Sequence, residues 1–121
     1  MRTLPDKVAE EKIGARVIRR DGHGYLVDPE DWNADVAEHF AAEEGIDLTD
    51  EHWAVFKFMR DYLNDHGIAA DARFAFRFLA ERHNETESAA RRRFFELFPY
   101  GYVKQACKIS GMRQPRAWST G

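Results

Sequence analysis

The sequence predicts one domain of the α+β class, with a small N-terminal β-hairpin followed by a helical bundle. Three observations lead to this class. A length of 121 residues corresponds to about one domain. Apolar and polar residues alternate, as in a strand, only near the N-terminus, and from about residue 35 onward apolar residues recur at helical spacing. With 44% apolar and 32% charged residues, the composition is that of a globular protein with its own core.

The β-hairpin is predicted from β-prone residues on either side of a glycine-containing turn. The first strand contains Ile13, Ala15 and Val17, the turn covers residues 19–24, and the second strand covers residues 25–27. Gly22 and Gly24 are expected to supply the positive φ that other residues resist. This pair lacks the third glycine, the lysine and the following helix of a phosphate-binding loop, so a plain turn is predicted. Residues 1–10 are polar and are expected to be frayed.

Four to six helices are predicted after the hairpin. Asp28 and Pro29 are expected to begin the next element, because Asp caps helices and Pro suits a first turn. Helices are then predicted over about residues 35–44, 49–66, 70–82, 88–97 and 103–110. An apolar stripe marks the second of these as the central core helix, with an aromatic cofactor site as the alternative. The stripe contains Trp53, Phe56, Met59 and Leu63. No cofactor is implied by any other pattern.

The charge of the chain is divided between two parts. Residues 1–90 hold 11 basic and 20 acidic residues, a net −9, whereas residues 91–121 hold 7 basic and 1 acidic residue, a net +6. This asymmetry indicates either a basic contact surface for an acidic protein or a nucleic acid, or a basic end that packs on an acidic body. The triplet Arg91, Arg92 and Arg93 is a candidate phosphate-binding edge, with a solvated helix face as the other interpretation.

Cys107 is the only cysteine, which excludes a disulfide within one chain. No secretory signal and no apolar run long enough to span a bilayer are evident, so we expect a cytoplasmic protein without membrane contact. One cysteine and five scattered histidines give no metal-ligand spacing, so no metal site is expected. Two interpretations of Cys107 remain open. Lys104 and Lys108 are expected to lower the pKa of a sulfur-reactive thiol, or else the thiol is buried and inert.

Several segments together resemble the DsrC/TusE/DsvC family of sulfur-relay proteins. The C-terminal match is Leu97-Phe98-Pro99-Tyr100-Gly101, then Lys104-Gln105-Ala106-Cys107-Lys108-Ile109-Ser110-Gly111, then Pro115. Upstream matches, in family order, are Gly24-Tyr25-Leu26, Trp32, Glu43-Glu44-Gly45-Ile46, Leu48-Thr49, Glu51-His52-Trp53 and Phe58-Met59-Arg60-Asp61-Tyr62. The resemblance covers about residues 13–118. It implies a single α+β domain over residues 1–121, with an N-terminal hairpin, an orthogonal helical bundle and a flexible C-terminal arm at residues 111–121.

The resemblance implies a protein that carries sulfur or contacts the sulfur-transfer machinery. Family members hold a persulfide on a cysteine near the end of the arm. Members linked to dissimilatory sulfite reductase have a second, earlier cysteine, which the tRNA-thiolation members lack. Cys107 matches the earlier cysteine, and Trp118, eleven positions later, stands where the carrier cysteine is expected.

The main hypothesis is therefore a sulfur-relay family protein that acts through protein–protein contacts and is not a standard persulfide carrier. The candidate partner-binding residues are Lys104, Lys108, Arg113, Arg116 and Trp118. The implied partners are sulfur-transfer proteins, of the sulfite-reductase-like or tRNA-thiolation type. The alternatives are a nucleic-acid-binding regulator that uses the arginine triplet and a carrier or sensor that uses Cys107. An independent enzyme is the least supported class, because no Ser-His-Asp or Cys-His pair is evident.

Overall fold

A two-stranded antiparallel hairpin precedes a set of helices, which confirms the predicted α+β class. The computed structural model of the protein describes residues 8–115. Its elements are β1 (Ala9–Ile13), β2 (Arg16–Arg20), a 3₁₀ turn (Pro29–Asp31), α1 (Ala34–Glu43), α2 (Asp50–His66), α3 (Ala72–His83), α4 (Glu87–Leu97) and a π-helix (Tyr102–Cys107). Within residues 8–115, no helix is long and apolar enough to cross a membrane.

The hairpin lies earlier in the chain than the sequence suggested. Strands β1 and β2 pair with Ile13 opposite Arg16, so the turn consists of Gly14 and Ala15, and Gly14 adopts a φ of +59°. The predicted turn at residues 19–24 is a second reversal, which brings Leu26 to an isolated bridge with Arg20. The prediction was wrong because the alternation of apolar residues continues through the first turn. Pairing already begins at Ala9, inside the segment that was expected to be frayed.

The helix predictions are confirmed to within a few residues, because most boundaries are set by local caps. The side chains of Asn33, Asp71 and Thr86 accept hydrogen bonds from backbone N–H groups in the first turns of α1, α3 and α4. Gly45 and Gly67 follow α1 and α2 with φ values of +71° and +75°, a conformation that glycine adopts without strain. Gly22, which was expected to have positive φ, does not show it, whereas Gly24 does, at +90°.

The core is rich in phenylalanine. The largest fully buried aromatic side chains are Phe40, Phe56, Phe94 and Phe98. Phe98 joins two parts of this core, since its ring centroid lies 5.0 Å from that of Phe94 and 5.9 Å from that of Phe56. The stripe predicted on α2 points inward: Phe56 and Met59 are buried, and Trp53 and Leu63 pack against them. The side chain of Phe98 therefore holds the loop that follows α4 against the core.

His52 connects the start of α2 with the end of α4. Its Nδ1 accepts a hydrogen bond from the Thr49 N–H at 3.0 Å, and its Nε2 donates one to the Leu97 carbonyl at 2.8 Å. The side chain is buried. Burial lowers the pKa of His52, so the folded protein favours the neutral ring.

We predict that His52 makes stability depend on pH. Its pKa in the folded state lies below the ordinary value of 6.5, so the unfolded state binds more protons below that pH. Stability is therefore full above about pH 6.5 and falls as the pH is lowered toward the folded-state pKa. Between pH 7.5 and pH 5.0, the free energy of unfolding measured with urea should fall more for the wild type than for His52→Gln. His23→Gln, at an exposed site, is the control, and its free energy of unfolding should fall as much as that of the wild type. Equal losses in all three proteins would contradict the assignment.

Candidate functional site

The segment from Gly101 to Met112 contains the only cysteine and is packed into the body of the protein. A π-helix occupies its first part, where the predicted last helix was expected at residues 103–110. Its inward side chains are buried: Tyr102, Gln105, Ala106, Cys107, Ile109, Ser110 and Met112. Single π turns are often found at functional sites, which makes this segment the candidate site.

Cys107 is only 1% exposed. Burial raises the pKa of its thiol to about 12. The Tyr102 hydroxyl donates its own hydrogen to the Ala70 carbonyl, so it is committed to the loop before α3. The neutral thiol is the stable form at physiological pH, and the thiolate is the form that attacks sulfur.

The two lysines near Cys107 do not lower its pKa, which contradicts the expectation from the sequence. Lys104 is exposed and points away from the buried face. Lys108 is half-buried, with its Nζ 3.8 Å from the Glu44 carboxylate and 5.1 Å from the centre of the Tyr25 ring. Both charges are thus directed toward solvent or toward the acidic body, and neither faces the thiol. The geometry favours the alternative of a buried cysteine.

Trp32 and Arg60 hold the end of this segment through its backbone. The Trp32 Nε1–H donates to the Ile109 carbonyl at 2.8 Å. The Arg60 guanidinium donates to the Ser110 carbonyl at 3.2 Å and to the Pro29 carbonyl at 2.8 Å. The same guanidinium lies over the Trp32 ring, with 4.7 Å between Cζ and the ring centre. Two side chains from distant parts of the sequence therefore fix the carbonyls that follow Cys107.

Gln105 holds the start of the segment. Its Nε2 donates to the Glu44 carboxylate at 3.1 Å, and its Oε1 accepts from the Tyr100 N–H at 2.8 Å. Glu44 also faces Lys108, so one acidic residue of the body contacts two polar side chains of the segment. This supports the interpretation in which part of the basic end packs on the acidic body.

The predicted arm begins later than residue 111. Gly111 and Met112 are buried, and exposure rises only at Arg113 and Gln114. Arg113 is the one predicted partner-binding residue of the arm that the structure describes. Arg116 and Trp118 lie outside the described residues. The resemblance had implied an arm that starts at Gly111, but the lack of a Cβ at this residue lets the chain pass close beside Trp32.

The three arginines of the predicted phosphate-binding edge do not act as one surface. Arg93 donates to both carboxylate oxygens of Glu85, at 2.8 and 3.2 Å. Arg91 lies over the Phe76 ring, with Cζ 5.5 Å from its centre, and Arg92 approaches the Ser88 hydroxyl at 3.4 Å. The triplet is partly neutralised and its members face different neighbours, which favours the solvated helix face.

One charged cluster was missed by sequence analysis. Glu11, His39 and Glu43 come within 4.8 Å of one another, and the last two are one helical turn apart on α1. Arg20 donates to Glu11 at 2.8 Å and to Glu43 at 2.7 Å, so a guanidinium already lies among these oxygens. The His-x-x-x-Glu spacing was visible in the sequence, but the contribution of the hairpin required the fold. The cluster ties the hairpin to α1.

The fold and the site together define a class of protein: a small hairpin-plus-helices domain whose C-terminal cysteine segment is folded into the core. Comparisons with known proteins agree. The family model "DsrC like protein" matches residues 12–117. "Sulfurtransferase TusE" from Pectobacterium atrosepticum is 36% identical over 100 residues, which covers 83% of this chain and 91% of that protein. The TusE homologue of Haemophilus influenzae is 35% identical over 98 residues, covering 81% of this chain and 89% of the other.

Solved structures give the same family. The oxidized gamma-subunit of the dissimilatory sulfite reductase (DsrC) from Archaeoglobus fulgidus superposes with a TM-score of 0.78 at 30% identity, covering 90% of this chain and 98% of that one. DsrC from Allochromatium vinosum gives 0.78 at 29% identity, with 91% and 97% covered. The chain therefore belongs to the DsrC-like family, as the resemblance in its sequence implied.

We predict that Gly111 is required for the packing of the cysteine segment. An added Cβ would lie 2.6 Å from Trp32 Cγ, at a backbone φ of +81°. Gly111→Ala should therefore lower the free energy of unfolding by about 3 kcal/mol, through overpacking and backbone strain together. Gly45→Ala is the matched control, because Gly45 has a φ of +71° and nothing within 4 Å of the added atom. It should cost about 1 kcal/mol. Urea unfolding followed by circular dichroism measures both, and equal losses would contradict the role of Trp32.

Proposed function

We propose that this protein takes part in a sulfur relay as a binding member of the DsrC-like family, without carrying a persulfide on its own arm. The relatives are named sulfurtransferase TusE and the gamma-subunit of the dissimilatory sulfite reductase (DsrC), which supports work with sulfur-transfer proteins. A cytoplasmic location remains part of the proposal. The burial of Cys107 is the observation that carries the proposal, because it removes the one thiol of the chain from partners.

The chemistry of a sulfur carrier needs an accessible thiolate. In persulfide transfer, the thiolate of the acceptor attacks the outer sulfur of the donor persulfide, and the donor leaves as its own thiolate. Cys107 is neither accessible nor a thiolate at neutral pH, since the residue is buried and burial raises the pKa of its thiol to about 12. Residues 112–121 contain no cysteine, so the arm has no acceptor of its own.

The proposed contact surface is the basic C-terminal end. Lys104 and Arg113 are exposed, and Lys108 is half-buried against Glu44. Arg116 and Trp118 lie outside the described residues and are candidates from the sequence, where Trp is a frequent anchor of protein interfaces. The candidate partners are proteins of the sulfite-reductase-like or tRNA-thiolation type, as the family resemblance implies. Nucleic-acid binding has less support, because Arg93 is paired with Glu85.

The first test is the intact mass after exposure to a persulfide donor. We expect no gain of sulfur by the native wild type, and a gain of one sulfur atom by Trp118→Cys, which restores a thiol where the family carries it. Trp118→Ser is the control for the loss of the indole and should gain nothing. Sulfur on the native wild type that is absent from Cys107→Ala would contradict the proposal and would establish a carrier or sensor role for Cys107.

A second test addresses the contact surface. Removal of residues 116–121 leaves the buried segment through Met112 intact, so the shortened protein should still fold. Its affinity for a TusE- or DsrC-type relay partner should fall at least tenfold, because the Trp anchor and one cation are lost. Arg92→Ala, on the far arginine triplet, is the control and should bind like the wild type. Unchanged binding by the shortened protein would contradict the proposed use of the tail.

A further inference from the structure

An aromatic groove lies between α2 and α3 at the surface of the helical part. The ring centroids of Phe58 and Phe78 lie 4.9 Å apart, and those of Tyr62 and Phe74 lie 5.6 Å apart. These four rings line a groove of about 230 Å³, and all four side chains are only partly buried. Adjoining aromatic side chains that remain in contact with water form the kind of apolar patch that marks an interaction surface.

Exposed charged residues flank the aromatic groove in three levels. Because Phe58 contacts Phe78 and Tyr62 contacts Phe74, α2 and α3 run in opposite directions. When this register is continued along both helices, three exposed charged residues on the α2 side are each level with one of opposite charge on the α3 side. The three levels pair Lys57 with Glu81, Asp61 with Arg77 and Asp65 with Arg73.

Within one chain, the nearest ion pairs of these side chains stay on one side of the groove. Lys57 Nζ lies 2.8 Å from the Asp61 carboxylate, one turn further along α2, and Arg73 Nε lies 3.6 Å from the Asp71 carboxylate. Both pairs are exposed to solvent, and such pairs contribute little to stability. A partner with opposite charges at the same levels can therefore engage these side chains without breaking strong contacts.

A second copy of this chain offers charges in that arrangement. When two copies meet face to face with a two-fold axis along the groove, α2 of each copy faces α3 of the other at the same level. Asp61 then meets Arg77 of the other copy, and the other two levels pair in the same way. A two-fold axis across the groove would instead bring each helix against itself, with Asp61 against Asp61 at the centre, where like charges repel. The charge pattern thus selects one of the two symmetric arrangements.

The size of the surface indicates a weak dimer. Over the three levels, the two helices present a face about 20 Å wide and about 18 Å long, or about 400 Å² per copy. Specific interfaces bury about 800 Å² per partner, so this surface belongs with the small interfaces of transient complexes.

We propose that the protein forms a weak, two-fold symmetric dimer through the aromatic groove. The four rings of one copy pack against those of the other, which removes apolar surface from water. The charged levels on either side of the axis fix the register, with α2 of one copy against α3 of the other. The inference concerns the chain alone and stands whether or not the proposed sulfur-relay contacts are correct.

Sedimentation equilibrium of the full chain under reducing conditions tests the dimer over about 5–500 µM, a range in which a weak dimer dissociates on dilution. Asp61→Lys/Asp65→Lys makes the α2 side basic, and Arg73→Glu/Arg77→Glu makes the α3 side acidic. Each double variant alone places like charges against each other at two levels, so its dimer should weaken about tenfold or more. An equimolar mixture of the two should form a heterodimer as tight as the wild-type dimer, because every level is again complementary.

Glu38→Lys/Asp47→Lys is the matched control for the change in net charge. Both residues are exposed and lie outside the lining of the groove, so this variant should dimerise like the wild type. Circular dichroism should give all variants the helix content of the wild type, which shows that they are folded. A wild type that stays monomeric throughout the concentration range would overturn the proposal, and so would a mixture that associates no better than its components.

Disulfide cross-linking tests the orientation of the two copies. Asp61→Cys and Arg77→Cys are prepared separately, mixed and treated with oxidised glutathione, while Cys107 is buried and stays out of the reaction. The mixed chains should cross-link faster than either variant with itself, because position 61 faces position 77 when the axis runs along the groove. Faster cross-linking of Asp61→Cys with itself would contradict the proposed arrangement.

Discussion

The position of the cysteine segment depends on the contact between Trp32 and the backbone at Ile109–Gly111. The indole donates to the Ile109 carbonyl at 2.8 Å and lies so close to Gly111 that no Cβ fits between them. Arg60 stacks on the same indole and binds the Ser110 carbonyl. These polar contacts satisfy backbone groups that are otherwise buried, where an unpaired carbonyl costs about 1–3 kcal/mol. The segment is consequently part of the body as far as Met112.

This arrangement explains why the nearest cations fail to activate Cys107. The π-helix turns Gln105 and Cys107 inward, and Gln105 and Lys108 both meet Glu44. The positive charges of the two lysines face the acidic body or solvent, so they do not stabilise a thiolate. Desolvation then dominates, and burial raises the pKa of the thiol. The charges in the sequence could not distinguish a reactive thiol from a buried one, because they do not show which way a lysine side chain points.

The sequence was sufficient to predict the features that depend on residues close to one another in the chain. Helices α1 to α4 were predicted because Thr49 and Thr86 provide start signals, Gly45 and Gly67 provide stop signals, and the apolar spacing is helical. The hairpin turn was misplaced because Gly14 interrupts an alternation that looks continuous. The burial of Cys107 depends on contacts between residues far apart in the chain, such as the hydrogen bond of Trp32 with Ile109, which are 77 positions apart. No local pattern contains that information, and only the resemblance to a family could supply it.

The matched residues of the C-terminal segment mostly serve packing. Gln105 binds Glu44 and the Tyr100 N–H, Gly111 gives room to Trp32, and Phe98 links the core of α4 with that of α2. These roles need no thiol at the end of the arm. A chain can therefore keep this whole sequence pattern while position 118 holds a tryptophan, because the packing roles of the pattern belong to residues up to Gly111. Membership of the family follows from the packing residues, whereas carrier chemistry depends on a residue outside them.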